Sequence, residues 1–96
     1  MSVPFEVEHL RDQLYIVRAE VDGDPAMARF LVDEGALERL GVAGASEVDV
    51  VSATATFLLQ RQRLDDLPTQ VDVEDVAVAY DDFAEHLRSA LGGPGG

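Results

Sequence analysis

The chain has 96 residues, 47% of them hydrophobic and 27% charged, a balance that supports one folded core with no second domain and separates it from a disordered polymer. Nineteen acidic residues against seven basic ones give a net charge of −12, which disfavours direct binding to nucleic acid or to an anionic membrane surface. The lack of cysteine excludes a disulfide frame, a thiolate metal site and a cysteine nucleophile; all seven basic residues are arginine, so no lysine is present for a Schiff base or a P-loop.

Met1-Ser2-Val3-Pro4-Phe5-Glu6 has neither the basic start nor the apolar run of an export signal. No later run approaches membrane-spanning length, so a cytoplasmic location without membrane association is expected. Phe5 to Leu10 alternates apolar and polar residues, the period of a half-buried strand, and Arg11-Asp12 should turn it. Leu14 to Val21 reads as a second strand, with Tyr15, Val17, Ala19 and Val21 on one face and Leu14 and Ile16 on the other. Because its first half is apolar on both faces, this strand should be covered on two sides or lie against a second subunit. Asp22-Gly23-Asp24-Pro25 is a hairpin signal, since Gly23 accepts positive φ and Pro25 has no amide to donate. Ala26 to Val32 follows as a third strand, with Ala28, Phe30 and Val32 facing the core and Met27, Arg29 and Leu31 facing away.

Asp33 is a candidate N-cap for a short helix from Glu34 to Leu40, closed by Gly41. Ser46 with Asp49 resembles a capping box that opens a helix running to about Arg63. Its polar residues form a narrow stripe, Asp49, Ser52, Thr56, Gln60 and Arg63. Val48, Val51, Ala55, Leu58 and Leu59 make one apolar face, with Val50, Phe57 and Leu64 beside it, so the helix should be central or part of an interface. Pro68 ends that region. Gln70 to Val73 reads as a short strand, and Asp72 as the cap of a last helix from about Val73 to Leu91. Val76 to Tyr80 also fits strand alternation. Gly92-Gly93-Pro94-Gly95-Gly96 reads as a flexible tail; a terminal Gly-Gly invites comparison with ubiquitin-like modifiers, but a helix precedes it here instead of a strand.

Acidic residues at helix starts (Glu47, Asp49, Glu74, Asp75) and arginines at helix ends (Arg39, Arg61, Arg63, Arg88) match helix electrostatics, so much of the acidity is structural. The surplus at Asp65-Asp66 and at Asp81, Asp82 and Glu85 is available to a basic partner. Asp82 and His86 have the spacing of two metal ligands on one helix, but two ligands do not make a site, and an ion pair is the simpler reading. Asp22-Gly23-Asp24 lacks the later ligands of a calcium loop. Ser46, Ser52 and Ser89 sit in no glycine-flanked elbow, and the Asp-Ser-Leu of acyl carrier proteins is absent.

Val17 to Gly23, Phe30 to Leu40 and Phe57-Leu58-Leu59-Gln60-Arg61 together resemble a family of short bacterial proteins of unknown function. That family shares a strand, a glycine turn, a second strand, a short helix and a longer helix. The likeness covers residues 14 to 63. The family often has a cysteine in its second strand, near the position of Ala28, and a histidine where this chain has Gln60. Membership would imply a fold without a function.

The expected architecture is α+β: a three-stranded antiparallel meander packed on two longer helices, with a short connecting helix, in a single domain over residues 1–91. The expected role is a non-enzymatic protein-binding or adaptor domain that needs no cofactor or metal. Leu14, Ile16 and Phe57 would supply its apolar contact, and Asp65, Asp66, Asp81, Asp82 and Glu85 would face a basic protein partner. Homodimerisation is a further expectation, because so short a chain has little with which to cover these surfaces. The alternative is an acidic inhibitor or antitoxin-like protein that imitates nucleic acid before a basic groove. A third reading, an enzyme subunit with a metal at Asp82 and His86, would need ligands from elsewhere.

Overall fold

The structure, a computed structural model, describes residues 5–91; the expected tail at 92–96 lies outside them. Strands β1 (Glu6–Arg11), β2 (Leu14–Val21) and β3 (Asp24–Leu31) are followed by helices α1 (Glu34–Arg39) and α2 (Glu47–Leu59). A 3-10 turn at Leu64–Asp66 leads into β4 (Gln70–Asp72), α3 (Val73–Ala79) and α4 (Phe83–Ala90). Asp22 and Gly23 both take positive φ, 55° and 87°, so the β2–β3 connection is a two-residue turn of the kind that matches strand twist. Strand β3 therefore begins two residues before the expected position, with Val21 paired to Asp24. Asp12, at φ 47°, makes the turn between β1 and β2.

The architecture is α+β, and the expected meander is present as β1-β2-β3. The sheet nevertheless has four strands, in the order β1-β2-β3-β4, and β4 runs parallel to β3. Parallel neighbours need a long crossover, which here runs through α1 and α2. The Arg29 amide donates to the Thr69 carbonyl at 3.0 Å, and Val71 pairs with Phe30, so a three-residue segment joins the sheet by extending a ladder built elsewhere.

Helices lie on one face of this sheet. Tyr15, Val17, Ala28 and Phe30 are buried there with Val50, Val51, Phe57 and Leu58 of α2, Val73 and Val76 of α3, and Phe83 and Leu87 of α4. Buried positions on α2 span roughly 200° of its circumference at 100° per residue. The fold supplies that cover itself, with the sheet on one side and α4 on another. The wide apolar surface of α2 is therefore core and needs no partner; Val48, expected in its contact face, is exposed in the first turn.

The expected last helix is two helices. Tyr80 is extended (φ −127°, ψ 114°), and α4 starts afresh at Phe83. The corner is fixed by α2. Phe57 meets Tyr80 and Phe83 edge-on with ring centroids 5.3 and 5.1 Å apart, and Arg61 bonds Asp82 at 3.2 Å. A straight helix would carry the stripe from Val73 to Leu87 along one line; the break lets α3 pack beside β4 and α4 pack on α2. The central helix also stops at Leu59, short of Arg63, and Arg61 turns back to bond the Phe57 carbonyl at 2.9 Å.

The capping expectations divide. Asp72 caps α3, its carboxylate accepting from the Glu74 amide at 2.9 Å. Asp33 and Ser46 hold the N-cap positions in extended geometry, but neither side chain accepts an amide. Among the described residues no helix is long and apolar enough to cross a membrane.

Candidate functional site

Strand alternation that sends Tyr15 and Val17 into the core sends Leu14, Ile16, Arg18 and Glu20 to the opposite face. The register assembles that face in rows. Glu6, Arg18 and Met27 stand abreast; Glu8, Ile16, Arg29 and Gln70 form the next row; Arg11, Leu14, Leu31 and Asp72 form the one beyond. Ile16 is 6% exposed at the centre, Leu14 and Leu31 are half-buried, and Met27 is 56% exposed. The four described helices contribute their buried residues to the other side, and of this strip Met27 is the strongly exposed member.

The charges on the open face are arranged unevenly. Arg18 bonds Glu8 across the β1–β2 pair. Arg29 is exposed and takes part in no ion pair among the described residues, although the chain is strongly acidic. The β2–β3 hairpin extends beyond Glu6, the first residue of β1 whose pairing is among the described residues. There a cleft of about 650 Å³ opens between Phe5, Arg18, Glu20, Pro25 and Met27. Pro25 withholds an amide from the free edge of β3, which blunts that edge against further strand pairing.

The residues expected to meet a partner do not form one surface. Leu14 and Ile16 lie on the open face as anticipated. Phe57 does not: it is 0% exposed, at the centre of a cluster in which the Arg61 guanidinium sits 3.7 Å above its ring and Tyr80, Phe83 and His86 surround its edges. Its apolar neighbours in sequence gave no means of distinguishing an interface from a core.

The acidic residues fall into two groups near the carboxyl end of α2. Asp65 is bonded by Arg63 at 3.1 Å, which holds its carboxyl below the usual range, and Arg63 also reaches Asp22 at 2.7 Å. Asp82 is engaged by Arg61. Asp66, Asp81 and Glu85 are exposed. Two of the five expected carboxylates are thus already neutralised by arginines, one of which, Arg61, also bonds a carbonyl in the last turn of α2.

His86 forms no pair with Asp82. Its ring packs 5.0 Å from Phe57, and its Nε2 is buried without a hydrogen-bond partner among the described residues. A shallow cleft of about 430 Å³ beside it is bounded by Asp82, Glu85 and Ser89. Among the described residues, no three histidine or acidic side chains converge to hold a metal.

Two further groups carry shifted titrations. The Tyr15 hydroxyl donates to the Glu47 carboxylate at 2.8 Å, and burial together with that bond pushes its pKa to about 12. Asp72 is pushed upward by burial and by the neighbouring carboxylates of Asp75 and Asp33. Arg39 offsets part of that acidity by bridging Asp33 and Glu74.

Met27, Leu31 and Arg29 were legible as the outward face of β3, but their role follows only from the helices all lying on one side. No protein-family model, no curated protein and no solved structure matches the chain.

Proposed function

We propose that this chain is a cytoplasmic binding or adaptor domain that acts by docking a protein on the open face of its sheet and catalyses no reaction. The observation that carries this reading is the apolar strip of Leu14, Ile16, Met27 and Leu31 on a sheet whose helices all pack on the other side. An antiparallel sheet face left to solvent is ordinarily polar, whereas here Leu14, Ile16 and Leu31 sit together, with the exposed Met27 diagonal to Ile16, among the charged residues of the same face. The exposed carboxylates around the rest of the molecule steer a partner with basic surroundings toward it.

The second reading, an acidic inhibitor that imitates nucleic acid, is favoured by the exposed Asp66, Asp81 and Glu85 and by the net charge of −12. The Arg61–Asp82 and Arg63–Asp65 pairs count against it, because a mimic needs its carboxylates unpaired.

Affinity capture from host extract with the tagged chain and its Met27→Asp variant separates the two. A protein retained at molar salt by the native chain and lost from the variant is the expected result. A protein held equally by both chains and released by salt would replace the first reading with the second.

A further inference from the structure

We propose that Asp22-Gly23 is a modification site, where the chain passes through a cyclic imide to isoaspartate, and that Arg63 is the residue that restrains the conversion. The site lies at the tip of the β2–β3 hairpin, and its chemistry needs no docked partner.

Ring closure requires a backbone amide that can reach the carboxyl carbon of the preceding side chain, and a side chain on the following residue stands in the way. Of eleven aspartates, Asp22 alone precedes a glycine. The structure leaves the reacting groups accessible. Asp22 and Gly23 are exposed, and at Gly23 the space a Cβ would fill has no heavy atom within 4 Å beyond its chain neighbours. The Gly23 amide takes part in no backbone hydrogen bond among the described residues. In the reaction its nitrogen attacks Cγ of Asp22 in the neutral acid form. An N–Cγ bond replaces a C–O bond, and the hydroxyl departs as water with the amide proton. Water then opens the imide at either carbonyl; entry at the main-chain carbonyl leaves the chain running through Cβ and Cγ, with a free α-carboxylate.

Arg63, in the segment after α2, reaches Oδ2 of Asp22 at 2.7 Å while it also holds Asp65. That bond must be released before Cγ can turn onto the amide and before either oxygen can leave. The turn itself is a second restraint, because both residues sit at positive φ and Val21 pairs with Asp24 directly behind them. An exposed ion pair is worth little, so Arg63 slows the conversion without stopping it.

Strands β2 and β3 pair without interruption from Val21 and Asp24 to Leu14 and Leu31. Isoaspartate lengthens the main chain of the turn by one atom, which a two-residue connection cannot absorb while keeping that register. The pairs at the tip, Val21 with Asp24 and Glu20 with Pro25, are therefore the first to be lost. Glu20 and Pro25 also line the cleft beside Phe5, so the converted chain loses part of its wall.

The test is to hold the purified full chain at neutral pH for weeks and follow it by peptide mapping with mass spectrometry. Isoaspartate is counted with a protein carboxyl methyltransferase specific for that group, which esterifies the free α-carboxylate with labelled S-adenosylmethionine. The expected result is isoaspartate confined to Asp22, formed about two- to fivefold faster in Arg63→Ala, with circular dichroism showing that variant folded. Asp22→Asn suits the same turn and closes the same ring with loss of ammonia, so it reaches the same mixture of aspartate and isoaspartate sooner than the native chain. If Asp22 and its asparagine variant stay unchanged while the urea-unfolded chains convert, the folded turn forbids the ring and the proposal fails. Isoaspartate formed equally at Asp12 or Asp81 would overturn the site, and a native rate in Arg63→Ala would overturn the role of Arg63.

Discussion

Phe57 tests most sharply whether the apolar residues of α2 belong to the core or to an interface. Its ring is fully buried, lies under the Arg61 guanidinium at 3.7 Å and meets Tyr80, Phe83 and His86 at centroid distances of 5.0 to 5.3 Å. Truncation to alanine removes that packing and leaves a cavity, at a cost of about 3–5 kcal/mol for a buried phenylalanine. The stacked guanidinium adds about 0.5–1 kcal/mol at a partly exposed site. A domain of 96 residues has roughly 5–14 kcal/mol in total, so Phe57→Ala should be close to unfolding. Phe57→Leu retains most of the volume and should cost about 1–2 kcal/mol. Urea denaturation followed by circular dichroism measures both. A loss below about 1 kcal/mol for the alanine variant, with native spectra, would show that this ring is not core and would undo the assignment of α2 to the interior.

Tyr15→Phe removes a hydrogen bond to a carboxylate that can turn to water, and should lower stability by about 1 kcal/mol in the same urea assay. The folded-state pKa of Tyr15, about 12, lies above its ordinary value of 10.0, so folding holds that proton more tightly. The resulting stability is fully present below pH 10.0 and is lost as pH rises toward about 12. Alkaline titration of the tyrosinate absorbance should show that loss, and Tyr15→Phe should remove it. Asp72, whose pKa is raised, opposes the fold once ionised, yet its side chain caps α3. Asp72→Asn keeps a cap and sheds the charge, so it should match or exceed the native melting temperature at neutral pH, whereas Asp72→Ala should cost about 1 kcal/mol. Gly23 holds φ 87° with open space around it, so Gly23→Val should destabilise through backbone strain alone, by about 1–2 kcal/mol.

Much of the sheet was legible from the sequence because alternation carries face and register together. The outward phase of Leu14 and Ile16 and the inward phase of Ala28 and Phe30 follow from period two, and the Asp22-Gly23 turn pins them. The last helix was misread because Val73, Val76, Tyr80, Phe83 and Leu87 keep helical spacing straight through the corner. The break at Tyr80 comes from Arg61 and Phe57, residues some twenty positions earlier. Strand β4 is only three residues long and derives its geometry from β3. Phe57 shows the same limit in the candidate site. Periodicity says that a helix is apolar around most of its girth, but only tertiary packing shows whether the cover comes from the same chain. The acidic surplus shrank for a related reason, since Arg61 and Arg63 reach Asp82 and Asp65 only once α2 has ended.

The most direct measurement of the docking claim is hydroxyl-radical footprinting of the native chain, dilute and purified against the same chain in host extract. Met27 on the open face and Val78 on α3 are 56% and 79% exposed, which makes Val78 an internal reference away from the sheet. Protection of Met27 with Val78 unchanged is the expected result. Met27 modified equally in both conditions, or protection of Val78 alone, would contradict it.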